Sequence, residues 1–535
     1  MSVNNLPEGS YLSKKGYVIR KDSISNDELQ YLRKELRGRP LQDEKYAFFN
    51  QKDTSFPIYT ETKNKIYIPK MFGIERYGRP KKSMPSFIGK TWGRDIAFKG
   101  SLYPVQVCAS NKLIEELHTK GGGIISLATG LGKTITALHT ISNLKGKTIV
   151  VVNKIPLMKQ WESEIRTFLP DVEIGFIQGQ KNISVEGKDI VLAMLQSLAR
   201  VEYPDSLFEE FNTVVIDECH NTSSKVFSQV LSKLSCQYTI GLSATPKRSD
   251  GCEYIFKYHI GKIVYQSSTK RDGLSPILNV IKIDSSEYKE ICITNKMTGQ
   301  TQIQFTSMLS ELVEMQKRNK LIIEMIKELV NKEGRKILVL SDRRTHLQTL
   351  KRLLDSDLGI TFTYGLFLGQ MKIKDLEKSK ASQVILASYQ AFGEGVSEKD
   401  LDTLFLITPK KFIGHLKNST KNESGKMEQI VGRIFRKEHL DKNPLIIDLF
   451  DNFSIYKNQS AQRKIFYKQH FPTLLTKEQT INLDDIELNN ISLSHLITKK
   501  DNSQNTQNID ETINMINHCI IDHCIIDDDD DDENA

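Results

Sequence analysis

Long apolar runs are missing from this chain of 535 residues. No stretch approaches the roughly 20 residues needed to cross a bilayer, so no membrane partner is expected. Met1-Ser-Val-Asn-Asn lacks the basic-then-apolar pattern of a secretory leader, and the chain is expected to be intracellular. Cysteine is sparse as well. The seven residues at 108, 219, 236, 252, 292, 519 and 524 include no CxxC pair, which argues against a disulfide framework or a zinc ribbon. The last two sit in a tandem repeat, His518-Cys-Ile-Ile-Asp followed by His523-Cys-Ile-Ile-Asp. Nothing nearby could orient metal ligands there, so a short duplication in a disordered tail is expected rather than a metal site.

Apolar residues at 39% and charged residues at 26% are ordinary for a globular protein with a sizeable core. The net charge of +8 hides an asymmetry: residues 481–535 hold two lysines against fourteen acids, near −12, which leaves about +20 on the remainder. A basic body fits a polyanionic partner through counterion release.

The length predicts several domains. Residues 1–95 are basic and rich in Tyr and Phe, and a small α+β accessory region is expected. From residue 96 to 268 strand-like and helix-like segments alternate, which argues for a parallel sheet. The strand candidates are Gly123-Ile-Ile-Ser-Leu, Thr148-Ile-Val-Val-Val, Asp189-Ile-Val-Leu-Ala, Thr213-Val-Val-Ile-Asp and Tyr238-Thr-Ile-Gly-Leu. A second alternating block is expected over 301–480, with strands at Lys336-Ile-Leu-Val-Leu, Val384-Ile-Leu-Ala, Thr403-Leu-Phe-Leu-Ile and Leu445-Ile-Ile-Asp. Residues 269–300 lack that alternation and are expected to be a linker. Residues 481–535, Asn-rich and ending in an aspartate run, carry too little apolar surface to offset ordering entropy.

Ala128-Thr129-Gly130-Leu131-Gly132-Lys133-Thr134 follows a predicted strand and precedes a predicted helix, the context a phosphate loop requires. The glycines let backbone amides turn toward phosphates at the positive end of the helix. Lys133 is expected to pair with the β- and γ-phosphates of ATP, and the Thr134 hydroxyl to ligate Mg²⁺. The strict pattern wants glycine where Leu127 stands. Asp217-Glu-Cys-His220 closes an apolar strand; Asp217 is expected to hold Mg²⁺, Glu218 to orient and deprotonate the attacking water, and His220 to relay to the next motif. Ser243-Ala-Thr245 offers two hydroxyls that could tie the nucleotide site to a nucleic-acid track. Gln429-Ile-Val-Gly-Arg433-Ile-Phe-Arg436 lies on a predicted helix whose two arginines, three apart, share a face. There they could stabilise a transferring phosphoryl group.

Taken in order, Gln106, the phosphate loop, Gln160-Trp161, DECH, SAT, Glu394-Gly395 and QxxGRxxR resemble the superfamily 2 helicases over roughly residues 96–470. The resemblance implies two tandem RecA-like domains closing on Mg-ATP, with Gln106 reading adenine and Glu394 and Gly395 in a coupling loop. Residues 151–161, Met194–Ser197 and Ala387–Ser397 would be track-contacting or coupling segments. Ser397 stands where many relatives carry Asp. DECH at 217–220, and the absence of a Pro-Thr-Arg-Glu-Leu-Ala string, separate the chain from DEAD-box RNA helicases. Gln160-Trp161 and Leu242-Ser-Ala-Thr-Pro-Lys-Arg-Ser-Asp-Gly251 are similar to XPB-type helicases and restriction-enzyme translocases. Asp451-Asn-Phe-Ser-Ile-Tyr-Lys-Asn-Gln-Ser460, the basic aromatic N-region and the overall length resemble helicases of large cytoplasmic DNA viruses, including the poxvirus transcript-release helicase and its asfarvirus and giant-virus relatives. That likeness implies transcription machinery as a partner and the host cytoplasm or virion as location. DNA is the expected track. An RNA substrate and translocation along duplex without unwinding remain compatible with the sequence, whereas intact Lys133, Asp217, Glu218, Arg433 and Arg436 argue against an ATP-binding clamp that no longer hydrolyses.

Overall fold

Strands buried on both faces read as near-continuous aliphatic runs, and the strongest runs of this sequence become the centre of two parallel sheets. The computed structural model describes residues 6–40, 55–128, 130–244, 251–267, 276–294, 301–393, 400–410, 427, 430–435, 442–471 and 474–485. They form two compact units. The first holds the described residues up to 267 together with 427 and 430–432, and the second holds the others.

The main sheet of the first unit has eight strands. Their order is Asn182–Ser184, Ile174–Gln178, Ile190–Met194, Thr148–Val152, Thr213–Ile216, Tyr238–Ser243, Gly122–Ser126 and Ile263–Gln266. All pairings are parallel except that of the Asn182–Ser184 edge. The five predicted strands are all there. Alternate residues feed two cores: Ile125, Val150, Val152 and Leu192 meet Leu113, Leu138, Ile141 and Trp161 on one face. Ile124, Ile149, Val151 and Val191 meet Phe208, Phe211, Phe256 and Ile260 on the other. The helix Pro104–Lys120 starts with proline in its first turn and ends at Gly121 in the left-handed region, φ 82°, the usual proline-first, glycine-last asymmetry.

The N-terminal stretch folds as the α+β region expected of it and belongs to this same unit. A five-stranded sheet, ordered Thr60–Glu61, Lys65–Ile68, Gly16–Arg20, Tyr11–Ser13 and Lys82–Ser83, packs with the helices Asn26–Glu35 and Lys70–Tyr77 around Leu12, Tyr17, Ile19, Ile66 and Phe72. Lys70 joins it to the main sheet. Its amine is buried and donates to Gly121 O (2.9 Å), Cys236 O (2.9 Å) and Thr239 Oγ1 (2.7 Å). Burial pulls its pKa down to about 7, since a charged amine out of water is costly. Lys14 Nζ adds a bond to Phe211 O at 2.6 Å.

The second unit is built on seven strands, all parallel, in the order Tyr364–Phe367, Val384–Ser388, Ile337–Ser341, Thr403–Leu406, Leu445–Asp451, Ile277–Asp284 and Leu475–Asn482. The four predicted strands occupy its middle. The interval 269–300, expected to be linker, contains Ile277–Asp284, which pairs with Leu445–Asp451 along seven positions. Its aliphatic residues Leu278, Val280, Ile281 and Ile283 are buried. A strand that leads into a small hairpin (Cys292–Thr294 with Thr301–Ile303) before any helix carries no β–α alternation to read. Leu475–Asn482 runs across residue 480 as the sheet's outer strand. The ion pairs Arg318–Asp451 and Arg463–Asp448 are buried inside this unit.

Candidate active site

In a parallel sheet every strand ends at the same edge, and that edge is where open α/β sheets receive ligands. Register brings the motifs together here. Ser126 pairs with Ser243, and Ile216 with Gly241, so the phosphate loop, the DECH turn and the SAT segment all emerge side by side.

Leu127 and Ala128 leave the strand buried. Leu127 is part of the apolar core and does not have a positive φ, so nothing in its backbone demands the glycine of the strict pattern. Ala128 N donates to Ser267 Oγ at 3.0 Å. Gly130 and Gly132 sit at φ 87° and 75°, where L side chains are disfavoured. The helix Lys133–Leu144 has Gly132 as N-cap without a side-chain cap, which leaves first-turn amides facing outward, as anion binding requires. Thr134 is buried in that turn. Lys133 Nζ lies 3.4 Å from Leu127 O and 3.9 Å from Glu218 Oε1. A Cβ at Gly132 would fall 2.3 Å from Gln106 Nε2. Gly132→Ala is therefore expected to lower the ATPase kcat/KM about 100-fold, the scale of a misplacement near 1 Å. Steady-state phosphate release checks it.

Gln106 is placed differently from an open adenine reader. It is 2% exposed; its Oε1 accepts from Tyr103 N (3.0 Å) and its Nε2 donates to Leu131 O (3.0 Å). The side chain thus spans the start of one helix and the phosphate loop, and Leu131, expected only as loop backbone, is its partner.

Asp217 ends the strand Thr213–Ile216. Its N–H bonds Val151 O, its Oδ1 accepts from Glu218 N (2.9 Å), and its Oδ2 accepts from Trp161 Nε1 (2.9 Å). Burial first, then the adjacent Glu218 charge, push this carboxyl up to about 6, with the Trp161 bond and Lys133 pulling against them. Glu218 adopts φ 47°, a left-handed conformation of the kind that collects at functional sites in non-glycine residues. Its Oε2 is buried without a hydrogen-bond partner among the described residues. Two adjacent carboxylates facing an ammonium, with acceptor capacity to spare, are a donor set that suits a hard divalent cation. His220 Nδ1 lies 3.0 Å from Ser243 Oγ and 3.4 Å from Glu218 Oε2, so the expected link between DECH and SAT exists as a contact.

Gln196 Nε2 donates to Asn153 O at 2.7 Å, joining two of the expected track-contacting segments at the same edge. The helix predicted to carry Arg433 is only partly there. Ile430 and Val431 are helical, but Arg433 lies in the tighter turn Gly432–Phe435. Three residues per turn there eclipse positions i and i+3. Arg433 is 3% exposed, with its guanidinium 5.1 Å from the Phe392 ring centre. Thr129, Thr245, Glu394, Gly395, Gln429, Arg436, Cys519 and Cys524 lie outside the described residues. Trp161 and Ser267 are the site neighbours that sequence reasoning misses. Trp161 stands at the end of a segment read as track-contacting, with no signal for a bond to Asp217, and Ser267 carries no signal.

Residues 99–248 match the family described as "Type III restriction enzyme, res subunit". A protein of Acanthamoeba polyphaga mimivirus, provisionally named an ATP-dependent RNA helicase, is 30% identical over 463 residues, covering 86% of this chain and 85% of the relative. An African swine fever virus protein with a similar provisional name is 24% identical over 386 residues, 67% of this chain and 72% of its own length. Among solved structures, a fragment of an HsdR subunit of a type I restriction enzyme from Vibrio vulnificus aligns at TM-score 0.50 and 19% identity, over 74% of this chain and 72% of that one, a likeness of fold. A shared helicase sequence over most of the chain, with the phosphate loop and the DExH acid pair gathered at one edge of the first unit's parallel sheet, places this protein in the superfamily 2 helicases, as an ATP-dependent nucleic-acid helicase or translocase.

Proposed function

We propose that the chain is a Mg²⁺-dependent, DNA-stimulated motor ATPase of the XPB-like branch, working in viral transcription or genome maintenance in host cytoplasm or virion. The observation that carries the hydrolytic part is the approach of Lys133 Nζ to Glu218 Oε1, 3.9 Å, at the head of the phosphate-loop helix. In this reading Lys133 holds the β- and γ-phosphates. Thr134 and Asp217 hold the metal, which neutralises phosphate charge when bound. Glu218 orients the water and takes its proton. His220 and Ser243, with Thr245, Glu394 and Gly395, carry the state of the nucleotide to the track segments. Arg433 and Arg436 supply positive charge to the transferring group, Gln429 a neutral hydrogen-bonding side chain from the same motif, and Gln106 keeps the loop in shape beside the adenine. Most track contacts go to phosphates, which position the strand without reading sequence.

DNA is favoured by DECH in place of DEAD at 217–220. The name of the mimivirus relative favours RNA as the second reading. Phosphate release by the purified chain with single-stranded DNA, duplex DNA and RNA of one sequence separates them. The expected result is stimulation by DNA above that by RNA, weakening linearly in log–log form as salt rises. Stronger stimulation by RNA would install the second reading, and none by any polymer would remove the track assignment.

A further inference from the structure

The indole of Trp161 is 1% exposed, and its N–H ends on a carboxylate oxygen rather than on backbone. The bond to Asp217 Oδ2 is 2.9 Å, while Oδ1 of the same carboxylate is held by Glu218 N at 2.9 Å. Two donors on two oxygens fix the plane of the carboxylate, where one would leave it free to rotate about its last bond. Trp161 sits on the helix Ile155–Phe168, which begins directly after Asn153 and Lys154, and Asn153 O is clasped by Gln196. The residues at the start of that helix are the ones proposed to meet nucleic acid. A phenylalanine would fill the apolar surroundings of Trp161 (Met158, Ile165, Leu192 and Val215 belong to the same cluster), so the feature specific to tryptophan is the N–H.

We propose that Trp161 is a positioning residue for hydrolysis. Its N–H holds the Asp217 carboxylate in the orientation that takes the metal, and makes that orientation depend on the placement of the track-facing helix. This rests on the reading of Asp217 as a metal-holding group. A rigid indole suits such a role because its two side-chain torsions are both fixed by packing, so a small tilt of the helix moves the donor directly. A charge-assisted bond of this kind is roughly twice as strong as a neutral one.

The test uses the full chain. Trp161→Phe keeps the ring and removes the donor. The expected result is a rise of about tenfold in the Mg²⁺ concentration that half-saturates ATPase activity, the scale of a lost bond to a charged group. Stimulation by the polymer that activates the wild type should fall, and the melting temperature should stay close to wild type. A packing role alone would lower the melting temperature and leave the Mg²⁺ midpoint in place, and that outcome overturns the proposal. The chain has two tryptophans, so a Trp92→Phe protein reports on Trp161 by fluorescence even should Trp161→Phe not fold. Its emission is expected to change saturably with Mg²⁺ in the presence of ADP, and to lose that response when Asp217→Asn is added. An emission that ignores Mg²⁺ would count against the proposal. Asp217→Asn alone tells the two levels apart. Full ATPase activity in that variant would sink the function proposed above. An inactive Asp217→Asn beside an unmoved Trp161→Phe midpoint would sink only the role of Trp161.

Discussion

Lys133→Ala is expected to lower ATP hydrolysis roughly 1000-fold while the protein melts as the wild type does. The size follows from what the ammonium does: a fixed positive charge aimed at a developing phosphoryl transition state is worth about two to three orders of magnitude when removed. The unchanged fold follows from its surroundings. Lys133 opens the helix Lys133–Leu144, where alanine is at least as good a helix former. Among the described residues its amine makes only a long bond to Leu127 O at 3.4 Å and an ion pair with Glu218 at 3.9 Å, so little of the described packing depends on it. Phosphate release, ADP titration and a thermal melt on one preparation check all three parts. Hydrolysis within about tenfold of wild type, well short of the loss such a charge implies, would remove Lys133 from the reaction.

Asp451→Ala is expected to destabilise the second unit by about 3–5 kcal/mol. Both side chains of the Arg318–Asp451 pair are 0% exposed. The guanidinium grips the carboxylate with two bonds, Nε to Oδ1 at 2.8 Å and Nη2 to Oδ2 at 2.9 Å. It also donates to Ile407 O, while Tyr288 Oη donates to Asp451 Oδ1. Burial and the Asp451 charge together keep the Tyr288 hydroxyl well above its ordinary range. Truncating the acid leaves a buried cation with a carbonyl for company. Replacing both partners by apolar residues of similar volume should recover most of the loss, because the desolvation cost of both ions disappears with them. Hydrogen exchange of the strands Leu445–Asp451 and Ile277–Asp284 isolates this unit's response; a loss under about 1 kcal/mol there would mean the pair behaves as a surface one.

What can be read before folding is whatever is local. The five central strands of the first unit and four of the second announce themselves as aliphatic runs, because burial on both faces leaves no polar position to interrupt them. Leu475–Asn482 is unreadable for the opposite reason: its Thr, Lys, Glu, Gln and Asn residues are largely exposed at a sheet edge, and polar strands look like loops. The phosphate loop and DECH are legible because glycine and acid at fixed spacing have few other uses. The Trp161–Asp217 bond spans 56 residues, and no spacing rule connects an indole to a carboxylate at that range. Gln106 shows the same limit from the other side. Its motif is legible, yet both its amide atoms are engaged with Tyr103 and Leu131, a use of the side chain that only the packed structure discloses.

The buried Lys70 carries a consequence for how the chain is made. The carbonyl of Cys236, one of its acceptors, lies 166 residues further along, and the Phe211 carbonyl that takes Lys14 lies 197 residues beyond that lysine. At synthesis rates of about 5–20 residues per second, Lys70 waits roughly ten to thirty seconds for its last acceptor. During that time the small N-terminal sheet is finished but has nowhere to dock, and its lysine stays charged and wet. Completion of the strand Tyr238–Ser243 is then the event that strips the amine of water and seals the amino-terminal piece to the ATPase sheet, so the nascent chain closes its first unit only after the last of the three nucleotide-site strands has emerged.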